Sequence, residues 1–122
     1  MTEPQTVEPG HIQLDQVNSL VSAAGVDGAR SILEAFHRST TDLLSSLIRD
    51  VQGGSFDDAC RCAHAVKGSA ANVGAQMLAE TAAMIEAACK AGDTETATEK
   101  LREAQSLFDL FCTHFEAHLA QC

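Results

Sequence analysis

Residues 56–74 read FDDACRCAHAVKGSAANVG, and this stretch predicts a helix with one narrow apolar face. Its apolar side chains recur every three or four residues, which is the period of an α-helix that buries one side. Gly74 stands where the pattern stops, as glycine often does directly after a helix. The predicted buried face comprises Phe56, Ala59, Ala63, Val66, Ala70 and Val73.

The sequence on both sides continues as apolar helical patterns separated by short glycine-containing turns. The predicted helices cover about residues 14–24, 27–51, 56–73, 76–90 and 94–119. Short connections favour antiparallel neighbours. The expected fold class is therefore all-α, an up-and-down antiparallel four-helix bundle with a short additional N-terminal helix that ends at Gly25.

Finer details of the helices can also be predicted. Ser55 followed by Asp58 resembles a capping box, and Asp93 or Thr94 can cap the last helix. In the helix over residues 76–90, the expected apolar stripe comprises Leu78, Thr81, Met84, Ile85 and Ala88.

Length and composition indicate one helical domain. The chain has 122 residues, 45% of them hydrophobic, with only two prolines. Residues 1–11, which include Pro4, Pro9 and Gly10, are predicted to be a flexible N-terminal tail. Residues 12–122 are predicted to form the bundle domain.

Charge and apolar patterning exclude several classes of partner. A formal net charge of −9 opposes binding to nucleic acid. No apolar run is long enough to span a membrane, and no signal peptide precedes the first helix, so we expect a cytoplasmic protein. Five cysteines are an odd number in such a chain, which predicts free thiols rather than a disulfide framework.

His64 is the candidate functional residue. It lies about 130° around the predicted helix from the centre of the apolar face, so it is expected to face solvent. Lys67 and Gly68, three and four residues later, share its side of the helix. Cys60 and Ala71 lie on the same side.

Gly68 and Lys67 suit a site for an anion beside His64. A glycine inside a helix costs about 1 kcal/mol relative to alanine, so its presence needs a reason, such as close approach of another surface. Lys67 supplies a mobile positive charge with three donors. Between residues 60 and 79 there is no Asp or Glu, whereas Arg61 and Lys67 both lie there.

This pattern resembles the signature of histidine-containing phosphotransfer (HPt) domains, small helical carriers of two-component phosphorelays. The signature is a histidine followed by lysine at plus three and glycines at plus four and plus ten, which here are His64, Lys67, Gly68 and Gly74. The resemblance covers about residues 12–120. It also includes Leu78, Ile85, Glu86 and the turn at residues 91–93.

The resemblance implies a phosphoryl carrier. His64 would accept a phosphoryl group from the aspartyl phosphate of a receiver domain and pass it to another receiver aspartate. Lys67 would balance the phosphate charge, and Gly68 would permit close approach. The neighbouring Cys60, Arg61 and Ala71 are expected to contact the receiver.

The resemblance also implies the partners. They would be response-regulator receiver domains and a hybrid sensor histidine kinase. No cofactor is expected on this chain, and Mg²⁺ is expected on the receiver. We expect a monomer, because one apolar stripe per helix is what a four-helix bundle buries internally.

Two other chemistries fit the sequence less well. Cys62 points about 160° away from Cys60 and His64 on a helix, so these three cannot bind one metal ion. The pair His114 and His118 lacks a third ligand, and no metal is expected.

Autophosphorylation is not expected either. Ala65-Val66-Lys67 follows the histidine without the acidic residue and proline of kinase dimerisation helices, and 122 residues leave no room for an ATP-binding domain.

One alternative function stays open. The chain could be a helical protein–protein interaction module that uses the His64 surface without phosphotransfer. Helical patterning does not separate the two functions. A nucleophile with its lysine and glycine neighbours favours the carrier.

Overall fold

Four helices make up the part of the chain that the computed structural model describes, residues 12–122. They are α1 (Leu14–Gln52), α2 (Phe56–Val73), α3 (Gln76–Lys90) and α4 (Thr94–Leu119). No strand occurs within those residues. The predicted all-α class is confirmed, whereas the predicted flexible tail over residues 1–11 lies outside the described residues.

The helices form a closed ring of neighbours. The main packed pairs are α1 with α2, α2 with α3, α3 with α4, and α1 with α4. This is the arrangement of a four-helix bundle in which consecutive helices lie side by side. The short turns after α2 and α3 place each of these helices beside the next one along the chain.

Helix α1 has a kink at Gly25, where the sequence predicts the end of a separate short helix. Gly25 has φ 77° and ψ 171°, which is not helical, yet helical residues continue on both sides. A positive φ is tolerated by glycine because it has no Cβ. The residues before Gly25 are thus the predicted short additional N-terminal helix, which is joined directly to the rest of α1.

The first part of α1 is fixed to the end of α2. The backbone N–H of Gln13 donates to the carbonyl of Gly74 at 2.7 Å, and Nε2 of Gln16 donates to the carbonyl of Ala71 at 2.6 Å. Ile12 and Val17 are buried beside these contacts. The chain before the kink thus covers the end of the bundle that contains the C-terminus of α2.

Aromatic side chains of α1 and α4 fill the core. The ring centroids of Phe36 and Phe111 are 5.6 Å apart, as are those of Phe111 and Phe115, and both pairs meet edge to face. Phe108 also meets Phe36 edge to face. On α2 the buried face consists of Ala59, Ala63, Val66, Ala70 and Val73, as predicted, with Phe56 half-buried.

Two predicted details are wrong, and a third is confirmed. Met84 is 50% exposed, because it lies 100° around α3 from the buried Ile85. Ser55 makes no capping hydrogen bond, and Asp58 pairs with Arg61 instead of reaching back to Ser55. The side chain of Asp93 does cap α4, since its Oδ1 accepts from the backbone N–H of Thr96.

All five cysteines have free thiols. Burial raises the pKa of Cys89 to about 11, and burial together with the charges of Asp109 and Glu116 does the same for Cys112. These two thiols therefore stay protonated at neutral pH. No helix within residues 12–122 is long and apolar enough to cross a lipid bilayer.

Candidate functional site

His64 projects from the middle of α2 on the side opposite its buried alanines. Its side chain is 67% exposed. The ring lies beside α3, where its Nδ1 is 3.3 Å from Oε2 of Glu86. Nδ1 therefore faces α3, whereas the ring as a whole remains accessible to solvent.

Glu86 is the centre of the site. Its side chain is only 14% exposed and contacts two lysines in addition to His64. Nζ of Lys67 on α2 lies 3.3 Å from Oε1, and Nζ of Lys90, one turn further along α3, lies 3.6 Å from Oε2. A single carboxylate therefore joins His64, Lys67 and Lys90 into one network.

The network keeps Glu86 ionised. Partial burial opposes the charged form of this carboxyl, but hydrogen bonds from Lys67 and His64 and the positive charges of Lys67 and Lys90 outweigh it. The pKa of Glu86 is consequently lower than its ordinary value of 4.5. At neutral pH the residue facing Nδ1 of His64 is an anion.

Gly68 lies exposed next to His64 on the surface of α2. A Cβ placed on it would meet no atom within 4 Å, so nothing in residues 12–122 requires a glycine there. Close packing between helices therefore does not explain why residue 68 is a glycine. The predicted role of Gly68, close approach of another surface, stays a prediction.

Gly74 has a different and internal reason. It ends α2 with φ 88°, and its backbone N–H donates to the carbonyl of Ala70. A Cβ would also lie 3.1 Å from the carbonyl oxygen of Gln13. Gly74 is thus required for the end of α2 and for its contact with α1, as the prediction of a helix terminator implies.

The three residues predicted to contact a partner lie around His64 but differ in exposure. Arg61 is exposed and ion-paired with Asp58. Cys60 is half-buried, and its Sγ lies 3.7 Å from the backbone carbonyl of Glu86. Ala71 is exposed, one turn beyond Lys67. Their predicted role in docking stays a prediction.

The cysteines near His64 face different helices. The thiol of Cys60 faces α3, whereas Sγ of Cys62 lies 3.8 Å from Oδ2 of Asp50 on α1. Burial and the negative charge of Asp50 raise the pKa of Cys62. Within residues 12–122, no three His, Cys, Asp or Glu side chains come close enough together to hold a metal ion.

The predicted site lacked two of its members. Glu86 belongs to the family-like pattern in the sequence without a predicted role, and Lys90 is not among the predicted site residues. One signal was available: His64 and Glu86 are equally far along the chain from Ala75, at the turn between two antiparallel helices. Residues at such positions face each other across the pair.

The site combines an exposed histidine on a helical bundle with nearby lysines and a helical glycine, and one family of small helical domains matches this chain. The family model described as "Hpt domain" matches residues 31–121, and the chain belongs to this family. The first part of α1 precedes the matched residues. A comparison with curated proteins finds no match.

Solved structures share the fold. Histidine-containing phosphotransfer protein B (HptB) from Pseudomonas aeruginosa PAO1 is similar with a TM-score of 0.86 and 22% identity, over 94% of this chain and 99% of that one. Histidine-containing phosphotransfer protein MtHPt2 from Medicago truncatula is similar with a TM-score of 0.79 and 22% identity, over 92% of this chain and 78% of that one. At these identities the similarity concerns the fold.

Proposed function

We propose that this chain is a phosphoryl carrier of a two-component phosphorelay. His64 accepts a phosphoryl group from the aspartyl phosphate of a receiver domain and passes it to the aspartate of another receiver. The observation that carries the proposal is the exposed His64 ring with its Nδ1 against the Glu86 carboxylate. Membership of the Hpt domain family supports it.

The geometry favours Nε2 as the nucleophile. A carboxylate only accepts hydrogen bonds, so the nitrogen facing Glu86 carries the proton of the neutral ring. The lone pair then resides on Nε2. Nε2 forms a bond to phosphorus while the bond from phosphorus to the aspartate oxygen breaks, and the electron pair stays on the released carboxylate.

Neighbouring residues assist through charge and shape. Phosphoryl transfer depends mainly on alignment and on neutralising the phosphate oxygens. Lys67 Nζ is part-exposed against Glu86, on the side of α2 that carries His64, and would bind a phosphate on Nε2 by leaving Glu86. Gly68 leaves space for the receiver surface, and the Mg²⁺ is that of the receiver.

The remaining features of the proposal concern partners and activity. The partners are response-regulator receiver domains and a hybrid sensor histidine kinase, with Cys60, Arg61 and Ala71 in the contact surface. The chain acts as a monomer, without autokinase activity, nucleic acid or membrane contact. Its cytoplasmic location stays a prediction.

A transfer assay tests the function. A receiver carrying a labelled aspartyl phosphate is mixed with the wild-type chain, with His64→Gln, and with His118→Gln as a matched control. The control histidine lies on α4, where its Nε2 is 2.7 Å from Oδ1 of Asn18. Label on wild type and the control, lost in acid and kept in alkali, and absent from His64→Gln, is the expected result.

The opposite result identifies the alternative. Stable binding of a receiver to both wild type and His64→Gln, without label on either, would show an interaction module in place of a carrier. Circular dichroism of each variant confirms that it is folded.

A further inference from the structure

Nδ1 of His64, the ring nitrogen that does not take the phosphoryl group, lies beside the negatively charged Glu86. We propose that Glu86 keeps a proton on Nδ1 of phosphorylated His64 and thereby keeps the phosphoryl group transferable to an acceptor aspartate. This inference rests on the proposed carrier function. It makes Glu86 a positioning residue that also sets how readily the phosphoryl group leaves.

The chemistry follows from the leaving group. When an aspartate oxygen attacks phosphorus, the bond from phosphorus to Nε2 breaks and its electron pair goes to the ring. If Nδ1 holds a proton, the ring leaves as neutral imidazole. If Nδ1 has lost it, the ring must leave as an imidazolate anion, which is a far poorer leaving group.

The phosphorylated ring with a proton on Nδ1 is positively charged. A carboxylate within a few ångströms favours that cation over its deprotonated form. Nδ1 lies 3.3 Å from Oε2 of Glu86, whose side chain is only 14% exposed. The protonated form is therefore maintained to higher pH than it would be beside a neutral side chain.

The other charges around the ring do not supply this effect. Cys60 and Arg61 on α2 and Glu86 on α3 line the same surface depression as the ring, and Lys67 and Lys90 lie against the Glu86 carboxylate. Within residues 12–122, Glu86 is the sole acidic side chain within ion-pair distance of His64. The positive charges of Arg61, Lys67 and Lys90 disfavour the positively charged form of the ring.

A phosphoryl group on Nε2 strengthens the effect. Its negative oxygens attract Lys67 and Lys90, which in the unmodified chain lie 3.3 and 3.6 Å from Glu86 oxygens. As the lysines turn toward the phosphate, the charge of Glu86 is less neutralised. More of it then acts on the proton at Nδ1.

The variant Glu86→Gln separates charge from position. Glutamine has the same shape and its amide oxygen still accepts from Nδ1, but it carries no charge. Glu80→Gln is the matched control. Glu80 lies on the exposed side of the same helix, where Oε2 accepts from Nε2 of Gln76.

The experiment measures the rate of phosphoryl transfer from labelled protein to one receiver between about pH 5.5 and pH 8.5, the range in which an imidazole titrates. Phosphoramidate loads any variant that the receiver labels poorly. The rate is expected to decline as the pH rises and Nδ1 loses its proton. We expect the midpoint of this decline to lie about one pH unit lower in Glu86→Gln than in wild type. The variant should then transfer about tenfold more slowly than wild type at high pH and equally fast at low pH. Glu80→Gln follows wild type.

Two results would overturn the inference, and they can be told apart. If Glu86→Gln keeps the wild-type pH profile, or is slower by one factor at every pH, Glu86 only positions the ring. If wild type takes no label from a receiver or from phosphoramidate, the carrier function itself fails, and this inference fails with it.

Discussion

Nδ1 of His64 and Oε2 of Glu86 lie 3.3 Å apart, across the pair formed by α2 and α3. This contact places Nδ1 on the side of the ring that faces α3. The same carboxylate binds Lys67 and Lys90, so the histidine and both cations are placed by one residue.

Replacing Lys67 tests the role of the nearest cation. Lys67→Gln removes a charge that can bind the phosphate oxygens, and a charge-assisted hydrogen bond contributes about 1.5–3 kcal/mol. The rate of phosphoryl transfer to His64 should fall about ten- to a hundredfold in a stopped-time gel assay. Lys100→Gln is the control, because Lys100 pairs with Glu103 on α4. Equal rates for Lys67→Gln and wild type would argue against the assigned role.

Gly68→Ala should make the chain more stable and less active. Alanine has a higher helix propensity by about 1 kcal/mol, and its Cβ would meet no atom of the chain within 4 Å. Urea unfolding should therefore show a gain of about that size. The same methyl group should slow transfer from a receiver by about five- to a hundredfold, as overpacking of a close interface costs about 1–3 kcal/mol. Unchanged transfer would show that the receiver does not approach this position.

Gly74→Ala should have the opposite effect on stability. The residue has φ 88°, and a Cβ would lie 3.1 Å from the carbonyl oxygen of Gln13. A left-handed conformation costs a residue with a Cβ about 1–2 kcal/mol, before the cost of that close contact. Urea unfolding of Gly74→Ala should show a loss of at least this size. A gain like that of Gly68→Ala would contradict the assigned C-cap.

Glu86 makes stability depend on pH in a defined direction. Its pKa is lower in the folded chain than the ordinary value of 4.5, so the unfolded chain binds the proton more readily. The resulting stabilisation is complete above about pH 4.5 and is lost as the pH falls through the lower, folded-state pKa. The difference in free energy of unfolding between wild type and Glu86→Gln should thus shrink in acid. A difference that grows as the pH falls would refute the network around Glu86.

Phe111→Ala tests the core that holds α1 against α4. Phe111 is fully buried and meets both Phe36 and Phe115 edge to face. Its truncation leaves a cavity, and such changes cost about 3–5 kcal/mol. The loss can be measured by urea unfolding. A loss below about 1 kcal/mol would mean that the aromatic cluster is not a main source of stability.

The fold was largely predictable because its signals are local. The apolar period and Gly74 define α2, and the pattern between Gln76 and Lys90 defines α3, with bounds that the structure confirms. The helix end at Gly25 was also predicted, and the non-helical backbone there confirms it. The contact of the preceding segment with the distant Gly74 could not be predicted, because it joins residues far apart in the sequence.

The site was only half predictable, for a physical reason. The spacing of His64, Lys67 and Gly68 is a property of one helix, so the sequence places them together. Glu86 and Lys90 reach the histidine from another helix, and only the packing of α2 on α3 brings them there. Met84 was wrongly predicted to lie in the buried stripe of α3. A shift of one residue around the helix, from Ile85 to Met84, leads from the core to solvent.

The most direct test of the account is the identity of the phosphorylated atom. The chain, labelled with ¹⁵N in its histidine rings, is phosphorylated by a receiver and examined by NMR for coupling between phosphorus and a ring nitrogen. Coupling to Nε2 of His64 is expected, with Nδ1 still beside the Glu86 carboxylate. Phosphorus on Nδ1, on another histidine or on none would contradict it.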